Sequence, residues 1–128
     1  MATISYLEYS NRDMKYAKDM LMLGNFDPCG RFCQQAIEKR MKYFIELNGS
    51  VDDFQILSSH SLAKLYNRIC VLTKTPPDAV LRGHLYQITS YYFETNYPAE
   101  DGNIELTKEM AESALHVAME VNDWVDSL

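Results

Sequence analysis

From Tyr6 to Leu128 the apolar residues of this chain recur at steps of three and four, and no segment alternates as a half-buried strand would. That period commits the backbone to helices, and the breaks between periodic segments fix their number at five. The first helix spans about Ser5–Leu23, with Leu7, Met14, Ala17 and Leu21 as its apolar stripe, and "LGNF" ends it with Gly24 at the C′ position. The second starts at "FDPCGRF", with Asp27 as N-cap and Pro28 in the first helical position, and closes at "LNGS" with Gly49. Its inward residues are Cys29, Cys33, Ala36, Ile37, Met41 and Phe44. "SVDDFQILSS" reads as a connection. The third helix, "SSHSLAKLYNRICVL", turns Leu62, Leu65, Ile69 and Leu72 inward and is capped by Ser59 or Ser61.

Pro76 and Pro77 cannot continue that helix. The fourth runs from about Ala79 to Thr95, with Leu81, Leu85, Ile88, Tyr92 and Phe93 in its stripe, and Pro98 terminates it. The fifth is "LTKEMAESALHVAMEVNDWVDSL", capped by Thr107, with Met110, Ala114, Val117, Val121 and Trp124 facing the core. Short connections between five helices predict an all-α up-and-down bundle forming one domain over residues 1–128. With 47% apolar residues there is enough to bury a core, and no run approaches the ~20 apolar residues of a membrane span. The N-terminal stretch lacks the basic start and apolar run of a signal peptide, so the expected location is cytoplasmic.

Charge and cysteine content narrow the chemistry. Residues 1–82 carry 11 basic and 9 acidic side chains, whereas residues 83–128 carry 1 basic and 9 acidic. Any phosphate contact is therefore expected from the first two thirds of the chain, and the acidic remainder would repel a polyanion such as RNA. Cys29, Cys33 and Cys70 are odd in number and have no metal-type histidine spacing beside them, which favours packing over a disulfide or a zinc site. His84 and His116 likewise lack the spacing of a metal motif. No GxxxxGK[ST], GxGxxG or GxSxG occurs.

Three features remain as candidate chemistry. Arg31, Gln35, Glu38 and Lys42 form a hydrophilic row along the second helix, flanked by Lys39; the row can face water, a partner or a cleft, and Glu38–Lys42 is a favourable pair one turn apart. His60 stands just before the third helix, where a ring and free backbone N–H groups together suit an anion, or the ring serves as a local cap. Tyr91, Tyr92 and Phe93 are consecutive, so they cannot all face one side of a helix; Tyr97 precedes Pro98 in an extended conformation.

In combination these segments resemble the HEPN domain, named for nucleotide binding in higher eukaryotes and prokaryotes. Its Gln-x-x-Glu-Lys-x-x-Lys helix is matched by Gln35, Glu38, Lys39 and Lys42; its His-Ser-Leu helix start by His60, Ser61 and Leu62; its Thr-Arg-Tyr-Pro ending by Thr95, Tyr97 and Pro98, with Asn96 in place of the arginine. "AESALHVAMEVNDWVDSL" is similar to its closing helix. The resemblance implies a helical bundle that commonly forms a homodimer and stands beside a minimal nucleotidyltransferase, in a toxin–antitoxin-like setting. It implies a nucleotide ligand, with no cofactor and no metal, for which the candidate residues are Gln35, Lys39, Lys42, His60, Asn96 and Tyr97: the lysines at phosphate, His60 and Asn96 in hydrogen bonds, Tyr97 by stacking or by donating its hydroxyl. Some branches of the family are metal-independent ribonucleases with an arginine four to six residues before a histidine, and none of His60, His84 and His116 has one. A non-catalytic binding module is thus the expected function, with a ribonuclease toxin or a ligand-free structural dimer as alternatives.

Overall fold

The computed structural model describes residues 5–94 and 105–128, and all regular structure among them is helical, with no strand. Five α-helices follow one another: α1 (Tyr6–Met22), α2 (Phe26–Asn48), α3 (Leu62–Thr73), α4 (Ala79–Glu94) and α5 (Lys108–Ser127). The connection between α2 and α3, expected to be irregular, holds two single turns of 3-10 helix, Val51–Asp53 and Ile56–Ser58. No described helix is long and apolar enough to cross a membrane.

Capping chemistry accounts for most helix ends. The hydroxyls of Ser5, Ser61 and Thr107 accept from the backbone N–H of Glu8, Lys64 and Met110, three residues on in each case, which satisfies a donor that the first turn leaves open. Gly24 follows α1 at φ 76°, the left-handed conformation that its C′ position demands. The expected start of α2 is corrected. Asn25 is the N-cap, and Asp27 sits inside the first turn, where its Oδ1 accepts the Leu106 N–H at 2.7 Å and ties the approach to α5 onto the head of α2.

Helix α2 is the axis of the fold. Along α1 the contacts run antiparallel: Tyr16 packs on Phe32, Ser10 donates to the Ala36 carbonyl at 2.7 Å, and Asn11 meets Arg40. Along α5 they run parallel, from Cys29 beside Ala111 to Arg40 with Asp126. Helices α3 and α4 pair antiparallel, with the Leu62 N–H donating to Thr89 at one end and the Asp78 N–H to the Tyr66 hydroxyl at the other. Helix α2 also touches both of these. It is thus covered from several sides, and its buried residues include Gln34, Glu38, Arg40 and Lys42 beside the expected Cys29, Cys33, Ala36, Ile37 and Met41.

Two further core assignments follow. Cys29, Cys33 and Cys70 are free and buried, as packing residues; contact with the Cys29 thiol, then burial, pushes Cys33 far up, so it remains a thiol. In α4 the core aromatic is Tyr91, whereas Tyr92 is half-buried and Phe93 exposed, a correction to the stripe expected from spacing alone.

The α2–α3 connection is pinned by Asp53. Its carboxylate accepts the Ser50 N–H at 2.8 Å in a capping box, and it forms an ion pair with Arg68 of α3. The Arg68 hydrogen bond, then the Ser50 N–H, holds the carboxyl below its ordinary value. A carboxyl depressed in the folded state contributes stability above its unfolded pKa of about 3.9, and the contribution disappears as pH falls through the lower folded value. Asp53→Asn should therefore melt several degrees below the parent at neutral pH, with the gap closing below about pH 4 in calorimetric scans.

Candidate functional site

At the N-terminal end of α3 the hydrophilic row of α2 meets His60, and the result is a buried polar network beneath an exposed ring. Glu38 is its centre. Its Oε1 accepts from Gln34 Nε2 at 3.1 Å and lies 3.0 Å from His60 Nδ1; its Oε2 accepts from Lys42 Nζ at 3.3 Å. The second donor of the Gln34 amide reaches the His60 carbonyl at 3.3 Å, and Gln35 Nε2 donates to Gln34 Oε1. The side chains of Glu38 and Lys42 are only 5% and 6% exposed, whereas that of His60 is 55% exposed.

The geometry sets the imidazole. An ionised carboxylate only accepts, so Nδ1 carries the hydrogen and Nε2 is left for whatever stands outside. The ring lies near-parallel to Tyr92, at 18° and 6.4 Å between centroids, and edge-on to Phe93 at 6.3 Å. Phe93 in turn stands at 89° to Tyr92. His60, Tyr92 and Phe93 thus make one aromatic corner, bordered by a surface groove of about 480 Å³ formed by Tyr86, Gln87, Thr89, Ser90 and Phe93.

The expected site residues divide accordingly. Gln35, Lys42 and His60 come together, joined through Gln34 and Glu38. Lys39 does not join them: it turns to α1, pairs with Asp13 and lies over the Tyr9 ring at 5.1 Å. Lys42, though in the network, is covered, and its charge is spent on Glu38. Asn96 and Tyr97 fall outside the described residues. The backbone N–H groups expected to be open beside His60 are in use, that of Leu62 by Thr89 and that of Lys64 by Ser61. Gln34 is the member that the sequence did not single out, although its spacing of one turn from Glu38 was a signal; Tyr92 and Phe93 stood out as part of an aromatic run but were not joined to His60.

Comparison with known proteins places this architecture. The HEPN domain family model matches residues 5–128. The chain belongs to the HEPN domain family. Among solved structures, TT1696 from Thermus thermophilus is similar at 24% identity and a TM-score of 0.73, covering 95% of this chain and 94% of that one. ST0689, an archaeal HEPN homologue, is similar at 19% identity and a TM-score of 0.68, covering 95% and 93%. No curated protein matches. At these identities the structures bear on the fold, and the all-helical HEPN architecture is the one they share with this chain.

Removing one partner from a buried ion pair leaves the other charge uncompensated, at a cost of about 3–5 kcal/mol. Lys42→Met should lower stability by about that amount in urea unfolding, and the double variant Glu38→Gln/Lys42→Met should recover most of the loss, because no net charge then stays buried.

Proposed function

We propose that this HEPN domain is a binding module that takes a nucleotide at the His60 corner and works as a dimer, paired with a minimal nucleotidyltransferase. The observation that carries the reading is the network under His60. A buried Glu–Lys pair contributes little net stability compared with apolar residues of the same volume. Here it fixes the tautomer and direction of one exposed imidazole, an arrangement that suits recognition of a ligand oxygen by Nε2. The aromatic corner beside it offers a base a ring to stack on, and such stacking contributes about 1–3 kcal/mol per base.

Within this reading the residues have unequal roles. His60 makes the direct contact. Gln34, Gln35, Glu38 and Lys42 position it, and Asn96 and Tyr97, following α4 in sequence, are the candidates for a hydrogen bond and a second stacking surface. Lys64, exposed one turn into α3, is a better placed cation for phosphate than Lys39 or Lys42.

One observation favours a second reading. A histidine whose Nδ1 is anchored on a buried carboxylate is also the form of a general base, as the ribonuclease branch of the family would need. The two readings separate in one series. Isothermal titration of nucleoside monophosphates and triphosphates should show binding that His60→Ala weakens at least about tenfold, while Lys39→Ala leaves it nearly unchanged. The same protein incubated with single-stranded RNA should leave it intact. RNA cleavage lost in both His60→Ala and Glu38→Gln would replace the binding module with the enzyme, and no heat with any nucleotide would remove the ligand from the reading.

A further inference from the structure

The turn between α3 and α4 lies at the opposite end of these helices from His60, and beside it α5 completes a cleft of about 250 Å³. The turn is held by its own chemistry. Pro76 and Pro77 restrict the backbone, the Thr75 N–H donates to the Cys70 carbonyl at 2.9 Å, and the Asp78 N–H donates to the Tyr66 hydroxyl at 2.8 Å. The Asp78 carboxylate caps α4, its Oδ1 accepting the N–H groups of Val80 and Leu81 at 2.9 and 3.1 Å. Its other oxygen accepts no hydrogen bond among the described residues.

Aromatic surface and negative charge meet in this cleft. The rings of Tyr66 and Trp124 lie 5.5 Å apart between centroids and are tilted by 56°, so neither ring stacks flat on the other. Tyr66 is buried, and half-buried Trp124 supplies the ring surface that a guest would meet. The two carboxylates come from different elements, Asp78 from the turn and Glu120 from α5. Glu120 is 65% exposed, and its approach to His116 at 3.7 Å is too long for a hydrogen bond. Among the described residues no Lys or Arg lines the cleft. Lys74 and Arg82 line a separate groove, which shares only Thr75 and Pro76 with it. Residues 1–4 and 95–104 contain neither Lys nor Arg.

We propose that this cleft binds an organic cation, an alkylammonium or guanidinium group, against Trp124 and between Asp78 and Glu120. Three properties select that chemistry. Aromatic faces attract cations, the indole most strongly. A pair of carboxylates draws a cation in and repels a phosphate, which separates this cleft from the nucleotide site at His60. A volume of about 250 Å³ is small for a drug-sized ligand and suits a single amine-bearing chain. An acidic chain gathers simple cations anywhere on its surface. Here an ammonium on an aliphatic stem gains more, since the stem packs on Pro76, Leu81 and Val121 while its head reaches the ring and the carboxylates. The group arrives on a free polyamine or on a lysine or arginine of a partner protein, and the contacts are the same for both. This inference does not depend on the nucleotide reading.

Trp124 is the chain's one tryptophan, so its fluorescence and its indole N–H cross-peak in proton–nitrogen spectra both report on this cleft. The probes are butylammonium, spermidine, and lysine and arginine blocked as N-acetyl methylamides. At least one should give a saturable change with a Kd below about 10 mM, and sodium chloride at equal ionic strength should give none. The double variant Asp78→Asn/Glu120→Gln should weaken binding at least about tenfold with an unchanged circular dichroism spectrum, since asparagine caps a helix as well as aspartate does. Tighter binding of a blocked amino acid supports the site and assigns it to a partner's side chain; tighter binding of spermidine supports it and assigns it to a free polyamine. No saturable change in either signal overturns the inference, including the case in which residues 1–4 or 95–104 cover the cleft. A change that the double variant leaves within about twofold overturns it as well. Titration of the same double variant with nucleotides reports on His60 separately, so failure of one reading does not disguise failure of the other.

Discussion

The enclosure of α2 is the constraint on which everything else turns. A helix covered by α1, α5, α3 and α4 has little water with which to solvate its polar side chains, so the buried ones must find partners inside the protein. Arg40 finds Asn11 and Asp126, at opposite seams; Lys39 finds Asp13; Lys42 and Gln34 find Glu38. Each of these contacts fixes the rotation and height of a neighbouring element or a neighbouring side chain. Glu38 has acceptor capacity beyond Lys42 and Gln34, and the residue that takes it up, His60, comes from the loop ahead of α3. The candidate site is therefore a by-product of satisfying a buried carboxylate, and its ring direction is as fixed as the core beneath it.

Periodicity and capping made the helices legible. Thr107, and Ser61 as one of two candidates with Ser59, could be named as caps because a hydroxyl before an apolar-periodic run has one local use, and Gly24 because few other residues adopt a left-handed φ without strain. Less legible was anything decided by a third element. Asp27 has the chemistry of an N-cap, but a backbone N–H 79 positions later competes for its carboxylate, and Asn25 takes the cap. Tyr91, Tyr92 and Phe93 differ by ~100° steps, and which of them is innermost depends on where α2 lies, which no local pattern records.

The same limit explains the site. Arg31, Gln35, Glu38 and Lys42 were visible as a row, and His60 as a residue apart, but a polar row looks alike whether water or another helix covers it. Glu38–Lys42 read as a modest surface pair, whereas burial turns it into the charged support of an imidazole. Lys39, one residue along, is rotated ~100° from Glu38 and so belongs to α1 and Asp13. Adjacent positions in one motif thus serve two different seams, and a motif copied residue by residue cannot separate them.

Fixing cations inside the bundle also changes what the surface can attract. Residues 1–82 carry 11 Lys and Arg side chains, enough on paper for several phosphates. Lys39, Arg40, Lys42 and Arg68 are each held against a carboxylate, so four of the eleven cannot turn to a ligand without breaking a contact that orders the fold. Affinity for a nucleic-acid strand grows with the number of phosphates neutralised, and each lost cation lowers it. A mononucleotide asks for much less: one or two hydrogen bonds, a ring to stack on and a single positive charge. The bundle leaves about that much around His60, with Tyr92 and Phe93 at its side and Lys64 a turn away. An acidic α5 packed on α2 adds repulsion for a long polyanion and little for a small ligand approaching from α3 and α4.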